Sequence, residues 1–104
     1  MGFRLTITEE ADKQLRSLPV REQRTIESAV SARLEDQPNV LSRAVKRLRP
    51  NAFAEFELRV GDLRVLYNVE QDDGEVVLVL VGRKVGNKLI VGGTEFHGHL
   101  DNPT

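Results

Sequence analysis

The chain has 104 residues, of which 39% are hydrophobic and 30% charged, and its formal net charge is -1. This length suits one domain with one modest core, and the composition is globular rather than disordered. We therefore expect a single domain over residues 1–104. The near-neutral charge argues against a general nucleic-acid coat, which usually carries a basic face. The absence of cysteine excludes disulfides and thiolate metal sites.

The sequence also predicts where the protein works. No run of about 18 apolar residues is present, so no membrane-spanning helix is predicted. The first residues lack the charged-then-apolar layout of a signal peptide, which favours a cytoplasmic location. Charge is unevenly distributed: residues 8–36 hold five basic and seven acidic side chains, whereas residues 43–64 hold six basic and three acidic ones. A binding surface for an anion is therefore expected in the second half.

The first half predicts a strand and two helices. Residues 3–7 alternate apolar and polar side chains, the pattern of a half-buried strand. Thr8 suits a helix N-cap, and Pro19 separates a first short helix from a second one. Apolar residues spaced three or four apart, Ile26 to Leu34, give the second helix one buried stripe. With so short a link, the two helices are expected to form an antiparallel hairpin.

The second half predicts strands. Residues 39–54 are interpreted as a basic connection, and residues 55–60, 63–69 and 76–81 as a three-strand meander with turns at Gly61-Asp62 and Asp72-Asp73-Gly74. The apolar run at 76–81 indicates a central strand buried on both faces. Residues 89–91 suit a short edge strand, and about 93–104 a flexible tail. The predicted fold class is α+β, with a small twisted, mainly antiparallel sheet packed against the helix hairpin.

The segment from Glu57 to Val69 gives this order of elements a family likeness. It contains Leu58-Arg59, a Gly61-Asp62 turn and then Arg64 and Tyr67 on the return strand, and an apolar strand follows that ends at Gly82-Arg83-Lys84. This pattern, together with the β-α-α-β-β-β order over residues 3–84, resembles toxins of the RelE/ParE superfamily of bacterial type II toxin–antitoxin systems.

The resemblance implies a function and partners. RelE-like toxins enter the ribosomal A site and cleave mRNA, whereas ParE-like toxins bind DNA gyrase and are not nucleases; a small antitoxin holds both inactive. The expectation is a ribosome-dependent mRNA endoribonuclease whose partners are its antitoxin, in a hetero-oligomer, and the ribosome with mRNA. The alternatives are a non-enzymatic gyrase inhibitor and a degenerate toxin that only binds its antitoxin. No cofactor and no metal are expected.

RNA cleavage of this kind uses the 2′-hydroxyl as nucleophile, so it needs a base, an acid and cations for the phosphorane. Arg64 matches the family's phosphate-stabilising arginine, and Lys84 or Arg83 matches the second cation. The other catalytic candidates are Glu57 as base, Tyr67 and His97, with His99 nearby. The expected contacts to RNA or the ribosome come from six basic residues: Arg43, Lys46, Arg47, Arg49, Arg59 and Lys88.

The chain departs from RelE in two places. Glu55 and Glu57 stand where RelE carries a pair of lysines, and Leu89 and Ile90 occupy the stretch in which RelE has a tyrosine. Structural roles are also open. In the structural alternative, Arg64 is an exposed residue that pairs with Glu57 across the hairpin. Glu57 is then a solvent-facing strand residue. Tyr67 would be a core or rim aromatic, and the tail histidines would be solvated.

Overall fold

Two helices pack on one face of a seven-stranded sheet in the computed structural model, which describes residues 2–96. The helices are α1 (Glu9–Arg16) and α2 (Val20–Leu34). The strands of the described chain are β1 (Arg4–Ile7), β2 (Val45–Arg47), β3 (Phe56–Val60), β4 (Leu63–Glu70), β5 (Glu75–Val85), β6 (Lys88–Val91) and β7 (Thr94–Glu95). The predicted α+β class, with a mainly antiparallel sheet on a helix hairpin, is confirmed.

The sheet runs in the order β2-β3-β4-β5-β6-β7, and each of these neighbours is antiparallel. Strand β1 lies parallel to the first half of β5, with Arg4 opposite Glu75 and Ile7 opposite Leu78. Because β4 occupies the other edge of β5, β1 and β6 share one edge and lie beside different halves of this long strand. The predicted central strand is thus confirmed.

The helices begin where their sequences predict. Thr8 caps α1, because its Oγ1 accepts a hydrogen bond of 3.1 Å from the backbone N–H of Ala11. Pro19 occupies the N-cap position of α2, where its missing N–H leaves no broken hydrogen bond. The buried positions of α2, including Ile26 and Leu34, form the predicted apolar stripe.

Apolar side chains gather in two clusters, one on each face of the sheet. The larger cluster lies between the sheet and the helices, where the rings of Phe56 and Tyr67 stack with their centroids 5.4 Å apart. The smaller cluster lies on the other face and is built from Leu48, Ala54, Leu66 and Leu80, with Leu89, Val91 and Phe96 packed against it. We call this second side of the sheet the helix-free face.

Two predicted segments are more ordered than expected. The predicted basic connection over residues 39–54 contains β2, because Val45 pairs with Leu58 and buries its side chain in the larger cluster. The predicted strand at 89–91 is confirmed as β6. It is not the last strand, since β7 pairs beside it at Thr94–Glu95, inside the segment expected to be a flexible tail. His97 and His99 lie outside the described residues.

Candidate functional site

The strand register brings charged side chains together on the helix-free face. Lys46 lies opposite Glu57, Arg59 opposite Arg64, and Arg64 in turn opposite Gly82. Side chains alternate between the two faces of a strand, and directly paired residues share a face. Since Phe56 and Leu58 point to the helices, the alternating positions point away from them. The charged cluster thus consists of Lys46, Glu57, Arg59, Arg64 and Lys84.

Glu57 is the acidic member of this cluster. Its Oε1 lies 3.4 Å from Nε of Arg59, and its Oε2 lies 4.0 Å from Nε of Arg64. The residue is 3% exposed, so the prediction that it faces solvent was wrong. A carboxylate removed from water this far requires cations or hydrogen-bond donors around it. Glu57 therefore acts as the counterion for both arginines.

Arg64 is held by the turn between β3 and β4. Its Nη1 donates hydrogen bonds of 2.8 Å to the carbonyl of Gly61 and 2.9 Å to that of Leu63. The side chain is 13% exposed, so Arg64 is not the exposed surface arginine of the structural alternative. Its buried Nε–H has no acceptor within hydrogen-bond distance among the described residues. The two Nη1 hydrogen bonds thus fix the guanidinium in place.

Gly82 and Lys84 continue the cluster onto β5. Gly82 lies opposite Arg64, and a Cβ atom there would come within 2.6 Å of the carbonyl oxygen of Ile90. Glycine therefore lets β6 approach β5 beside the arginine. The backbone N–H of Lys84 donates a 2.7 Å hydrogen bond to the carbonyl of Asp62, which joins the end of β5 to the β3–β4 turn.

Two predicted catalytic residues lie on the other side of the sheet. Arg83 forms ion pairs with Glu22 of α2 and with Asp62 at 3.0 Å, and the hydrogen bond that it donates to Glu22 is the main reason that its pKa is raised. Tyr67 is fully buried and donates a 2.5 Å hydrogen bond to the carbonyl of Pro38. Burial raises the pKa of its phenol. Neither residue is placed to reach a ligand bound at Arg64.

The six predicted binding residues do not form one patch. Lys46 and Arg59 belong to the charged cluster. Arg47 lies over the ring of Phe56, 5.3 Å from its centroid, on the strand face opposite to the cluster. Arg43 and Arg49 are exposed in the segments before and after β2. Lys88 lies on β6, 3.8 Å from Glu95.

Residues 5–85 match the profile of the family described as the ParE toxin of the type II toxin–antitoxin system parDE. The chain belongs to this family. The match ends at the last residue of β5, so β6 and β7 follow the matched region. No curated protein sequence matches the chain closely enough to count as a relative.

Two solved structures are similar to this family member. One is a chain of the RelBE2 toxin–antitoxin complex of Mycobacterium tuberculosis, which is 25% identical with a TM-score of 0.70. The match covers 81% of this chain and all of that chain. The other is from the archaeal RelE–RelB complex of Pyrococcus horikoshii, which is 26% identical with a TM-score of 0.66, covering 80% of this chain and 96% of that one.

The family profile and these likenesses support one conclusion at the level of the superfamily. The protein is a RelE/ParE-superfamily toxin of a type II toxin–antitoxin system, as its strand pair predicts. Among the described residues, neither helix has the length and apolarity that a bilayer crossing would require.

Proposed function

We propose that this toxin cleaves mRNA on the ribosome and that the RNA strand lies against the helix-free face. The observation that carries this proposal is the convergence of Lys46, Arg59, Arg64 and Lys84 on that face, although they come from four different strands. Three cations around the fixed guanidinium of Arg64 suit a polyanionic strand, because phosphate contacts supply most of the affinity for nucleic acid.

Arg64 is the residue that we assign to the scissile phosphate. Its guanidinium keeps its charge at any working pH and binds phosphate oxygens through a planar fork. The two carbonyl contacts hold it in one orientation, so little conformational entropy is lost when phosphate binds. Lys84 would add a second charge for the phosphorane.

Glu57 is better suited to positioning than to proton transfer. To act as a base it would have to leave two arginines and reach the 2′-hydroxyl from a buried position. We therefore assign it to holding Arg59 and Arg64, and His97 and His99 stay predictions for the acid and base.

The solved relatives come from complexes with antitoxins, which supports a cognate antitoxin as partner for this toxin. We propose that the antitoxin binds this chain in a hetero-oligomer and blocks its activity. The cytoplasm, where ribosomes translate, is the proposed place of action.

A specific observation also favours gyrase inhibition. The matching family carries the ParE description, and the buried carboxylate of Glu57 reduces the positive charge of the face at a position where RelE carries lysine. Under this second hypothesis the charged cluster does not have to contain a general acid or base, because a gyrase inhibitor binds its target without cleaving RNA.

Induced expression without the antitoxin tests these hypotheses. Under the first, new 5′ ends appear within translated mRNA, and Arg64→Ala removes both the cuts and the growth arrest, whereas the exposed helix variant Arg24→Ala keeps them. Under the second, arrest comes with loss of DNA supercoiling and intact mRNA. An absence of any arrest would instead indicate a degenerate toxin that only binds its antitoxin.

A further inference from the structure

Two aromatic rings meet beyond the charged cluster, at the edge of the smaller apolar cluster. Phe53 comes from the loop over residues 48–55, and Phe96 follows β7. Their ring centroids are 5.3 Å apart with an interplanar angle of 77°, an edge-to-face contact. Phe96 packs against the smaller cluster, whereas Phe53 remains 42% exposed. We call this ring pair the aromatic platform.

The loop that carries Phe53 is rigid because two asparagines bind its backbone. Nδ2 of Asn51 donates to the carbonyls of Arg49 and Ala54, at 2.7 and 2.9 Å. Its Oδ1 accepts from the backbone N–H groups of Phe53 and Ala54, also at 2.7 and 2.9 Å. The ring of Phe53 is therefore exposed on a fixed backbone.

Asn68 of β4 connects this loop to the sheet. Its Oδ1 accepts a 2.9 Å hydrogen bond from Glu55 N–H, and its Nδ2 donates one of 3.2 Å to the carbonyl of Phe53. Along β4, Arg64, Leu66 and Asn68 occupy alternate positions and so share the helix-free face. Asn68 lies four positions along the strand from Arg64, which corresponds to about 13 Å. A single strand of a few nucleotides spans this distance.

The surroundings of the platform are basic and concave. A cavity of about 320 Å³ is lined by residues of the loop and its flanks, including Arg47, Arg49 and Asn68. The acidic residue of this lining, Glu55, has its Oε1 bound to the backbone N–H of Val69 at 3.0 Å. The side chain of Arg47 is turned toward Phe56, so Arg49 is the arginine whose side chain lies beside Phe53 at this cavity. A cation beside a fixed aromatic ring suits single-stranded nucleic acid, because a phosphate binds the cation while a base stacks on the ring.

We propose that Phe53 stacks on a base of single-stranded RNA a few nucleotides away from the phosphate held by Arg64, with Phe96 supporting the ring from behind. This inference rests on the proposed mRNA cleavage. Phe53 would bind a base of the RNA, whereas Arg64 would bind a phosphate. Phe96 lies after the region matched by the family profile, so the platform depends partly on the C-terminal segment of this chain. A protein partner would gain less here, because a single exposed ring beside Arg49 offers little apolar area.

The test is a titration of the purified toxin with a short single-stranded RNA that contains 2-aminopurine, whose fluorescence falls when it stacks. Three variants are compared with the wild type. Phe53→Leu keeps an apolar side chain but removes the aromatic ring, whereas Phe53→Trp keeps an aromatic ring at this position. Val20→Ala is the control, because it changes an exposed apolar residue of α2. Thermal unfolding checks that each variant is folded, and antitoxin binding is measured as a separate readout.

We expect Phe53→Leu to lose the quenching and to bind RNA about tenfold more weakly, the effect of one stacked base. Phe53→Trp and Val20→Ala should bind like the wild type. Equal binding by Phe53→Leu and the wild type would overturn the inference. So would a Phe53→Leu variant that loses antitoxin binding but not RNA binding, which would indicate a protein contact.

Cleavage on programmed ribosomes separates this inference from the function on which it rests. If the wild type cuts mRNA and Phe53→Leu cuts it with the same KM, the base-stacking inference fails and the proposed function stands. If the wild type leaves mRNA intact while Arg64→Ala abolishes toxicity, both fail. A rise in KM for Phe53→Leu with little change in kcat supports both.

Discussion

Oε2 of Glu57 lies 4.0 Å from Nε of Arg64, and the two side chains are only 4% and 13% exposed. The pair lies at the centre of the charged cluster, with Arg59 on the other carboxylate oxygen. A buried carboxylate between arginines lowers the net charge available to an anion, yet it also holds the guanidinium groups in place. Stability and anion affinity should therefore respond to Glu57 in opposite directions.

Glu57→Gln is the substitution that separates these two effects. It keeps the shape of the side chain but leaves Arg64 buried without a counterion, so we expect the free energy of unfolding to fall by about 1–3 kcal/mol. The net charge of the face rises by one, so RNA affinity should increase, and its dependence on salt should steepen. Urea unfolding and RNA binding at two salt concentrations measure both effects.

Glu70→Gln is the matched control, because Glu70 is exposed at the end of β4. Its unfolding free energy should stay within about 0.5 kcal/mol of that of the wild type. If Glu57→Gln binds RNA more weakly than the wild type while remaining folded, the positioning of Arg59 and Arg64 by the carboxylate matters more for binding than the charge that it cancels, and the expected gain in affinity is wrong.

Tyr67→Phe should reduce stability without affecting RNA cleavage. It removes the hydrogen bond to the carbonyl of Pro38, which is worth about 1–2 kcal/mol. The wild-type stability should also depend on pH above about 10, where tyrosine ionises in the unfolded chain. Burial raises the pKa of Tyr67 in the folded state, so folding favours the protonated phenol, and stability is lost as pH rises toward the folded pKa.

Denaturant unfolding of both proteins from pH 7 to pH 11 measures this effect. The stability difference between the wild type and Tyr67→Phe should be constant below about pH 10 and should shrink above it. A constant difference up to pH 11, or a folded variant without cleavage activity, would contradict the core role of Tyr67.

Arg83→Ala should weaken a contact between α2 and the sheet and leave RNA binding intact. Arg83 joins Glu22 of α2 to Asp62 of the β3–β4 turn. All three side chains are at least a quarter exposed, so solvent screens the pairs and we expect a loss of only about 0.5–1 kcal/mol. A double-mutant cycle with Glu22→Gln isolates the first pair. Loss of mRNA cleavage by a folded Arg83→Ala variant would restore Arg83 as a catalytic candidate.

The fold could be predicted because its local signals agree with its tertiary structure. Thr8 and Pro19 mark helix boundaries by local chemistry, and the apolar run at 76–81 requires a central position. β2 was missed because three residues, of which only Val45 is buried, give too short an alternation. The strand forms because its backbone pairs with the free edge of β3. This pairing is a tertiary contact, which a local sequence pattern does not reveal.

The site was predicted only in part, for a related reason. Period-two alternation places Glu57 and Arg59 on one face of a strand, but it does not say whether that face is buried. Loop 48–55 covers part of the face with Leu48 and Ala54, and Glu57 is only 3% exposed. The alternation also separates Arg83 from Lys84, so the sequence contained the information that these neighbours lie on opposite faces. The pairing of Phe53 with Phe96 joins segments 43 residues apart, and no local pattern indicates it.

Gly82→Ala should loosen β6 from the sheet beside Arg64. The added Cβ would lie 2.6 Å from the carbonyl oxygen of Ile90 and 3.0 Å from Cγ2 of Val91. Because one of these neighbours is backbone, the strand itself has to move, and we expect a loss of about 1–3 kcal/mol in unfolding free energy. Hydrogen exchange should show faster exchange in β6, with little change in α1. Val85→Ala, at an exposed position of β5, is the control and should leave both regions unchanged. Equal protection of β6 in Gly82→Ala and the wild type would mean that the pairing of β5 with β6 tolerates the added methyl group, and that close approach is not the reason for glycine at this position.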